Sequence, residues 1–208
     1  VIDSSTVKAL KVGSATITAT VTAEDKTVQT LGSVQITVQS GVSAITPDTS
    51  SIEIDADNAK TASLSVTLTG AANGDVLAVR SSDESVVTVP ASVDASTDSC
   101  SVTLTAVKTG TAAVTLNCGT ATAQVAVTVK ASGTHTVTFE KQKLTVKKDE
   151  TAVNPAKATD GDKLTYASSN TAVATVDSSG IVTGVAAGTA TITATVKNAY
   201  DVIVETAS

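Results

Sequence analysis

Apolar residues fall on every second position through much of the chain. SATITATV (14–21), ASLSVTLTG (62–70), CSVTLTAV (100–107), AQVAVTVK (123–130) and HTVTFE (135–140) all alternate this way, mostly with Thr or Ser between the apolar residues. A period of two belongs to a strand with one buried face, and Val, Ile and Thr suit that conformation. No run of apolar residues keeps helical spacing. Turn-forming stretches separate the alternating runs: NGD (73–75), TDGD (159–162), DSSG (177–180) and KNAY (197–200). Many short strands at regular spacing predict an all-β chain of antiparallel sandwiches.

The pattern also repeats at long range. GVAAGTATITATV (184–196) has echoes in ALKVGSATITATV (9–21) and AVKTGTAAVTLNC (106–118). Aligning Gly13, Gly110 and Gly188 brings Ile17, Val114 and Ile192 together, and then Val21, Cys118 and Val196. A last alternating strand follows each copy: SVQITVQ (33–39), AQVAVTVK (123–130) and YDVIVE (200–205). Ser-Gly joints occur at Ser40-Gly41 and Ser132-Gly133. The repeat therefore predicts three units, 1–39, 40–131 and 132–208. The first is the C-terminal half of a domain without its front strands. The aligned glycines are expected at structural turns, with Gly188 in a left-handed backbone conformation. Ala190 and Ala194 would let two sheets approach, while Ile192 and Val196 fill the core from one face.

Composition adjusts this picture. Hydrophobic residues make up 41% of 208, which is enough for packed cores. The only aromatics are Phe139, Tyr166 and Tyr200, so the cores must be thin, as suits several small units. The net charge is −6, and residues 40–131 carry four basic against nine acidic side chains. No segment offers the basic, aromatic-bearing face that nucleic acid requires, so nucleic acid is excluded as a partner. The apolar runs are far too short for a membrane span, and no membrane insertion is expected of this segment. An export signal or anchor is expected upstream if the protein is secreted. The half unit at 1–39 also points to a longer chain or a larger assembly.

LTYASSNTAVATVDSSGIVTGVAAGTATITATV (164–196) closely resembles the signature of bacterial immunoglobulin-like domains, group 2. The family places an aromatic, usually Trp, where Tyr166 stands. Residues 1–39 match its second half. The middle unit is more distant: VRSSDESVVTV (79–89) parallels YASSNTAVATV (166–176), with Val79 at the aromatic position. It also carries nine extra residues around PASVDASTD (90–98). The resemblance implies tandem Ig-like β-sandwiches without catalysis. Such domains occur in bacterial adhesins and cell-wall-associated proteins, and on phage capsid and tail proteins.

Candidate chemistry is sparse. Cys100 and Cys118 share parity with inward-facing neighbours and lie equally far from Thr109, so they form either a disulfide tying the nine-residue insertion to the following strand or two small buried thiols. His135, the sole histidine, has no partner at metal-site or triad spacing and reads as a solvated linker residue. DADN (55–58) and TDGD (159–162) gather carboxylates, but neither completes a calcium loop, and both read as turns. Lys141, Lys143, Lys147 and Lys148 read as charges guarding an exposed edge strand. With no Trp, and with Tyr200 as the one ring expected to be exposed, no sugar-stacking platform is visible. No catalytic set, metal or cofactor is expected. The expected role is a non-enzymatic spacer or adhesive segment at a bacterial cell surface, contacting a protein or a surface polymer. The alternative is a decoration, tail or fibre domain on a virion surface.

Overall fold

The computed structural model describes residues 7–159 and 162–208. Among them there are nineteen strands and no helix. β1 (Gly13–Thr22) and β2 (Val28–Val38) form a lone antiparallel hairpin, closed at Asp25, whose carboxylate accepts bonds from the Thr27 amide and hydroxyl. Alternation makes the strands here, but none of the other described residues covers them: Ile17, Val21 and Val34 are 39%, 48% and 55% exposed.

The next nine strands are β3 (Ala44–Pro47), β4 (Ser51–Asp55), β5 (Thr61–Thr69), β6 (Val76–Ser81), β7 (Val87–Thr88), β8 (Ser92–Asp94), β9 (Ser99–Ala106), β10 (Gly110–Cys118) and β11 (Ala121–Lys130). They build two facing sheets, in the orders β3-β5-β9-β7 and β4-β11-β10-β6-β8. All pairs are antiparallel except β4 with β11. Leu64, Val66 and Leu68 from one sheet and Val114, Leu116, Val125 and Val127 from the other form a dry core. Each strand contributes every second residue to it, as the pleat dictates.

The last eight strands are shorter: β12 (Val137–Phe139), β13 (Thr151–Val153), β14 (Ala156–Ala158), β15 (Lys163–Ser168), β16 (Ala174–Val176), β17 (Ile181–Gly184), β18 (Ile192–Lys197) and β19 (Ile203–Ala207). They form the sheets β12-β14, β13-β17-β16 and β15-β18-β19. Val137, Ala156, Ala194, Val196 and Val204 make a smaller core, with Tyr166 packed 6.4 Å from Phe139 and accepting a bond from the Ala156 amide through its hydroxyl.

The middle and last sandwiches share several equivalent main-chain and side-chain bonds. The Ser82 amide donates to Ala113 O and the Ser82 hydroxyl accepts from the Ala113 amide; Ser169 and Thr191 do the same. The Val107 amide reaches Val86 O, and the Val185 amide reaches Val173 O. The nine extra residues of the middle sandwich include β8, an added edge strand on β6.

The lysine expectation needs correction. Lys141 and Lys143 do not lie on a strand. In the middle sandwich the matching segment is β4, held by parallel pairing with Ala126–Lys130. In the last sandwich the backbone of Lys141 is held instead by Asn154, whose side-chain oxygen accepts from the Lys141 amide and whose side-chain nitrogen donates to the Lys141 carbonyl, and residues 141–146 border an open groove of about 690 Å³. Lys147 and Lys148 pair loosely with Glu150 and Asp149.

Candidate functional site, the joint around His135

Three stretches that read as separate turns meet where the middle sandwich abuts the last one. The first is Asp55–Asn58, which follows β4. Asp55 caps its own turn, accepting bonds from the Asp57 amide and the Asn58 side chain, and also takes a bond from the Ser132 amide. The second is the β18–β19 turn. Asn198 is buried there, and its side-chain oxygen accepts from the amides of Tyr200 and Val202. Asp201 has a positive φ of 62° and closes the turn through Lys197, 3.1 Å away. The third is the approach to β15, which carries Asp162; Asp160 and Gly161 of the TDGD stretch lie outside the described residues.

The β18–β19 turn docks onto the middle sandwich. The Asn198 amide group donates to Ala56 O at 2.7 Å and to Asp57 Oδ1 at 3.1 Å. Val202 is fully buried and belongs to the core of the middle sandwich rather than to its own. The Ile203 amide donates to Val107 O, and the Thr109 amide donates to Ile203 O. Lys60 approaches Asp201 at 3.9 Å. The joint thus combines main-chain pairing, an apolar plug and a buried amide.

His135 sits in the middle of it. Its Nδ1 is 2.7 Å from Asp162 Oδ2, and its Nε2 is 3.0 Å from Asp57 Oδ1. The His135 side chain is only 13% exposed, which corrects the reading of a solvated linker residue. The partners stand 27 and 78 positions away in sequence, so no local spacing could reveal them. The hydrogen bond to Asp162 raises the pKa of His135 above its ordinary 6.5; burial opposes this and the bond to Asp57 reinforces it. For Asp57, burial opposes ionisation, but donors from Gly133, Asn198 and His135 outweigh it and hold the carboxyl below its ordinary 3.8.

The other expected sites resolve as follows. The carboxylates of Asp55 and Asp57 are engaged by protein donors, and among the described residues no group of three or more acidic, His or Cys side chains could hold a metal. Cys100 and Cys118 point inward from facing sheets, as parity indicates, and stand as free thiols in this structure. Burial, then Cys118 and Asp94, push the Cys100 thiol up, which disfavours the thiolate needed for oxidation. Gly13, Gly110 and Gly188 share positive φ values of 141°, 153° and 152°. Gly13 and Gly110 open their strands, whereas Gly188 lies in the bend before β18. Tyr200 is exposed, and no helix among the described residues is long and apolar enough to cross a membrane.

The family model for the bacterial Ig-like domain, group 2, matches residues 134–205. Over that stretch the chain is similar to a bacterial Ig-like domain. The architecture of the chain is one of tandem Ig-like β-sandwiches, and His135, Asp162 and Asn198 all lie inside the matched domain. No curated protein sequence matches the chain. Among solved structures, it is similar to domains 4 and 5 of the S-layer protein SbsC, at 22% identity over 49% of this chain and 62% of that one, with a TM-score of 0.37. It is also similar to the C-terminal 282-residue fragment of intimin in complex with the intimin-binding domain of the translocated intimin receptor. There the identity is 20% over 81% of this chain and 64% of that one, with a TM-score of 0.32. The chain spans less than two thirds of the length of either structure. The Ig-like domain presents its docking turn and its histidine on the same end, facing the middle sandwich.

Proposed function

We propose that this chain is a stiff, non-enzymatic spacer or adhesive segment of a bacterial cell-surface protein, divided into a half unit at 1–39 and sandwiches at 40–131 and 132–208. The observation that carries this reading is the docked joint. A flexible tether between Ig-like beads needs only a short polar linker, whereas here Val202 is inserted into its neighbour's core and Asn198 is buried against Ala56. Interdomain contacts of this kind resist bending because moving them exposes apolar surface and leaves buried polar groups without partners. The bacterial Ig-like domain at 134–205 supports the cell-surface setting. Partners in this reading are a protein or a surface polymer; no observation favours a virion. Small-angle scattering tests the mechanics. The chain should give the distance distribution of one elongated particle, and Val202→Asp should broaden it toward a bent ensemble. A wild-type distribution already as broad as that of the variant would overturn the stiff-spacer reading.

A further inference from the structure

The ring of His135 is held between two carboxylates, one on each nitrogen. A carboxylate only accepts, and a neutral imidazole has one N–H and one lone pair. Only the imidazolium can therefore satisfy Asp57 and Asp162 together. When the proton leaves, one carboxylate faces a lone pair at hydrogen-bond distance, in a site where His135 and Asp162 are 13% and 7% exposed. Water cannot readily take over the lost contact there.

The geometry also says which contact is lost. The bond to Asp162 is the shorter, 2.7 against 3.0 Å, and both of its members lie within the last sandwich. Asp57 has other donors, the Gly133 amide at 2.7 Å and the Asn198 side chain. The remaining proton therefore stays on Nδ1 with Asp162, and the contact across the joint goes. Among the described residues, the other charged groups nearby are occupied elsewhere. Asp55 accepts from Ser132, Asn58 and the Asp57 amide, while Lys60 and Lys197 face Asp201.

We infer that His135 is a proton-operated clasp of the joint: as imidazolium it bonds Asp57 and Asp162 at once, and as neutral imidazole it keeps Asp162 and releases Asp57, so the row is stiffest in mildly acidic medium. This rests on the docked joint proposed above. A group whose pKa is raised by folding contributes stability that is fully present below its ordinary 6.5 and lost as pH rises through the raised value. Asp57, whose pKa is lowered, limits the acid side: its contribution is present above 3.8 and lost as pH falls through the lowered value. The clasp is closed between those limits.

Two measurements on the full chain test it. The first is the titration of the His135 ring protons by NMR, in the wild type and in Asp162→Asn. The second is amide exchange protection of Ile203 and Thr109, whose bonds cross the joint, at pH 6 and pH 8.5, in the wild type and in His135→Gln. The expected results are a wild-type midpoint above 6.5 that drops in Asp162→Asn, and joint protection that falls at pH 8.5 by about tenfold for each unit of the midpoint shift that the Asp57 contact supplies, the share due to Asp162 being kept. His135→Gln should show no such pH step. Protection that is high and equal at both pH values, or a wild-type midpoint at or below 6.5, overturns the clasp and leaves the docked joint standing. Protection that is absent even at pH 6 overturns the docked joint itself.

Discussion

At Gly188 the backbone has φ +152°, and a Cβ there would lie 2.9 Å from Val173 Cγ2. Gly110 repeats this, with φ +153° and a Cβ site 3.0 Å from Val86 Cγ2. Val86 and Val173 occupy equivalent places in the two sandwiches, so one small steric solution has been used twice. Gly13 has the same sign of φ, but among the described residues nothing lies within 4 Å of its Cβ site. The three alanine variants should therefore differ. Gly188→Ala and Gly110→Ala combine backbone strain with crowding and should each destabilise their sandwich by about 1–3 kcal/mol. Gly13→Ala carries strain alone and should leave the main thermal transition unmoved, since its hairpin adds nothing to either core. Thermal denaturation followed by circular dichroism checks the order; an equal loss in all three would show that crowding is not what separates them.

The two long hairpins compare the same pattern under different cover. β1–β2 and β10–β11 share their alternation and nearly the same register, with Gly13↔Val38 matching Gly110↔Val129. Yet Val114, Leu116 and Val125 are fully buried, and their counterparts Ile17, Ala19 and Val34 are exposed. A two-stranded hairpin without a packed face is marginal in water, and local stability follows burial. Amides of β1 and β2 should therefore exchange at least tenfold faster than those of β10 and β11, by mass-spectrometric exchange at neutral pH; equal protection would mean that something covers the hairpin in solution. Parity alone made these strands, their inward residues and the facing cysteines readable from sequence. Pairing was less readable. Lys141 and Lys143 alternate with Gln142 and Leu144 as a strand would, but a strand also needs main-chain pairing, and the Lys141 backbone is bonded by the Asn154 side chain instead. The added strand β8 hid in the same way, as an insertion with no strong pattern of its own.

At the scale of the whole molecule, the sequence showed the beads but not the way they lock. DADN and KNAY read as turns, and turns they are. What joins them is contact between residues 142 and 141 positions apart, from Asn198 to Ala56 and Asp57, which no periodicity encodes. Such contacts should make the two sandwiches unfold together. Val202 buries its whole side chain in its neighbour, worth about 2 kcal/mol, and Asn198 leaves up to four polar groups without partners if truncated, at about 1–3 kcal/mol for each buried group left bare. The Val202 term and the two bonds donated by the Asn198 amide group belong to the interface, whereas the Tyr200 and Val202 amides are bonded within the turn of the last sandwich. The wild-type chain should then show a single main calorimetric transition for 40–208. The double variant Val202→Ala, Asn198→Ala should split it, with the smaller core of the last sandwich melting first and the large core around Leu64 and Leu116 melting near the original temperature. If the variant instead lowers one unsplit transition, the two residues stabilise the sandwiches as wholes and do not couple them. If the wild type already melts in two steps, the joint carries too little free energy to make a stiff row.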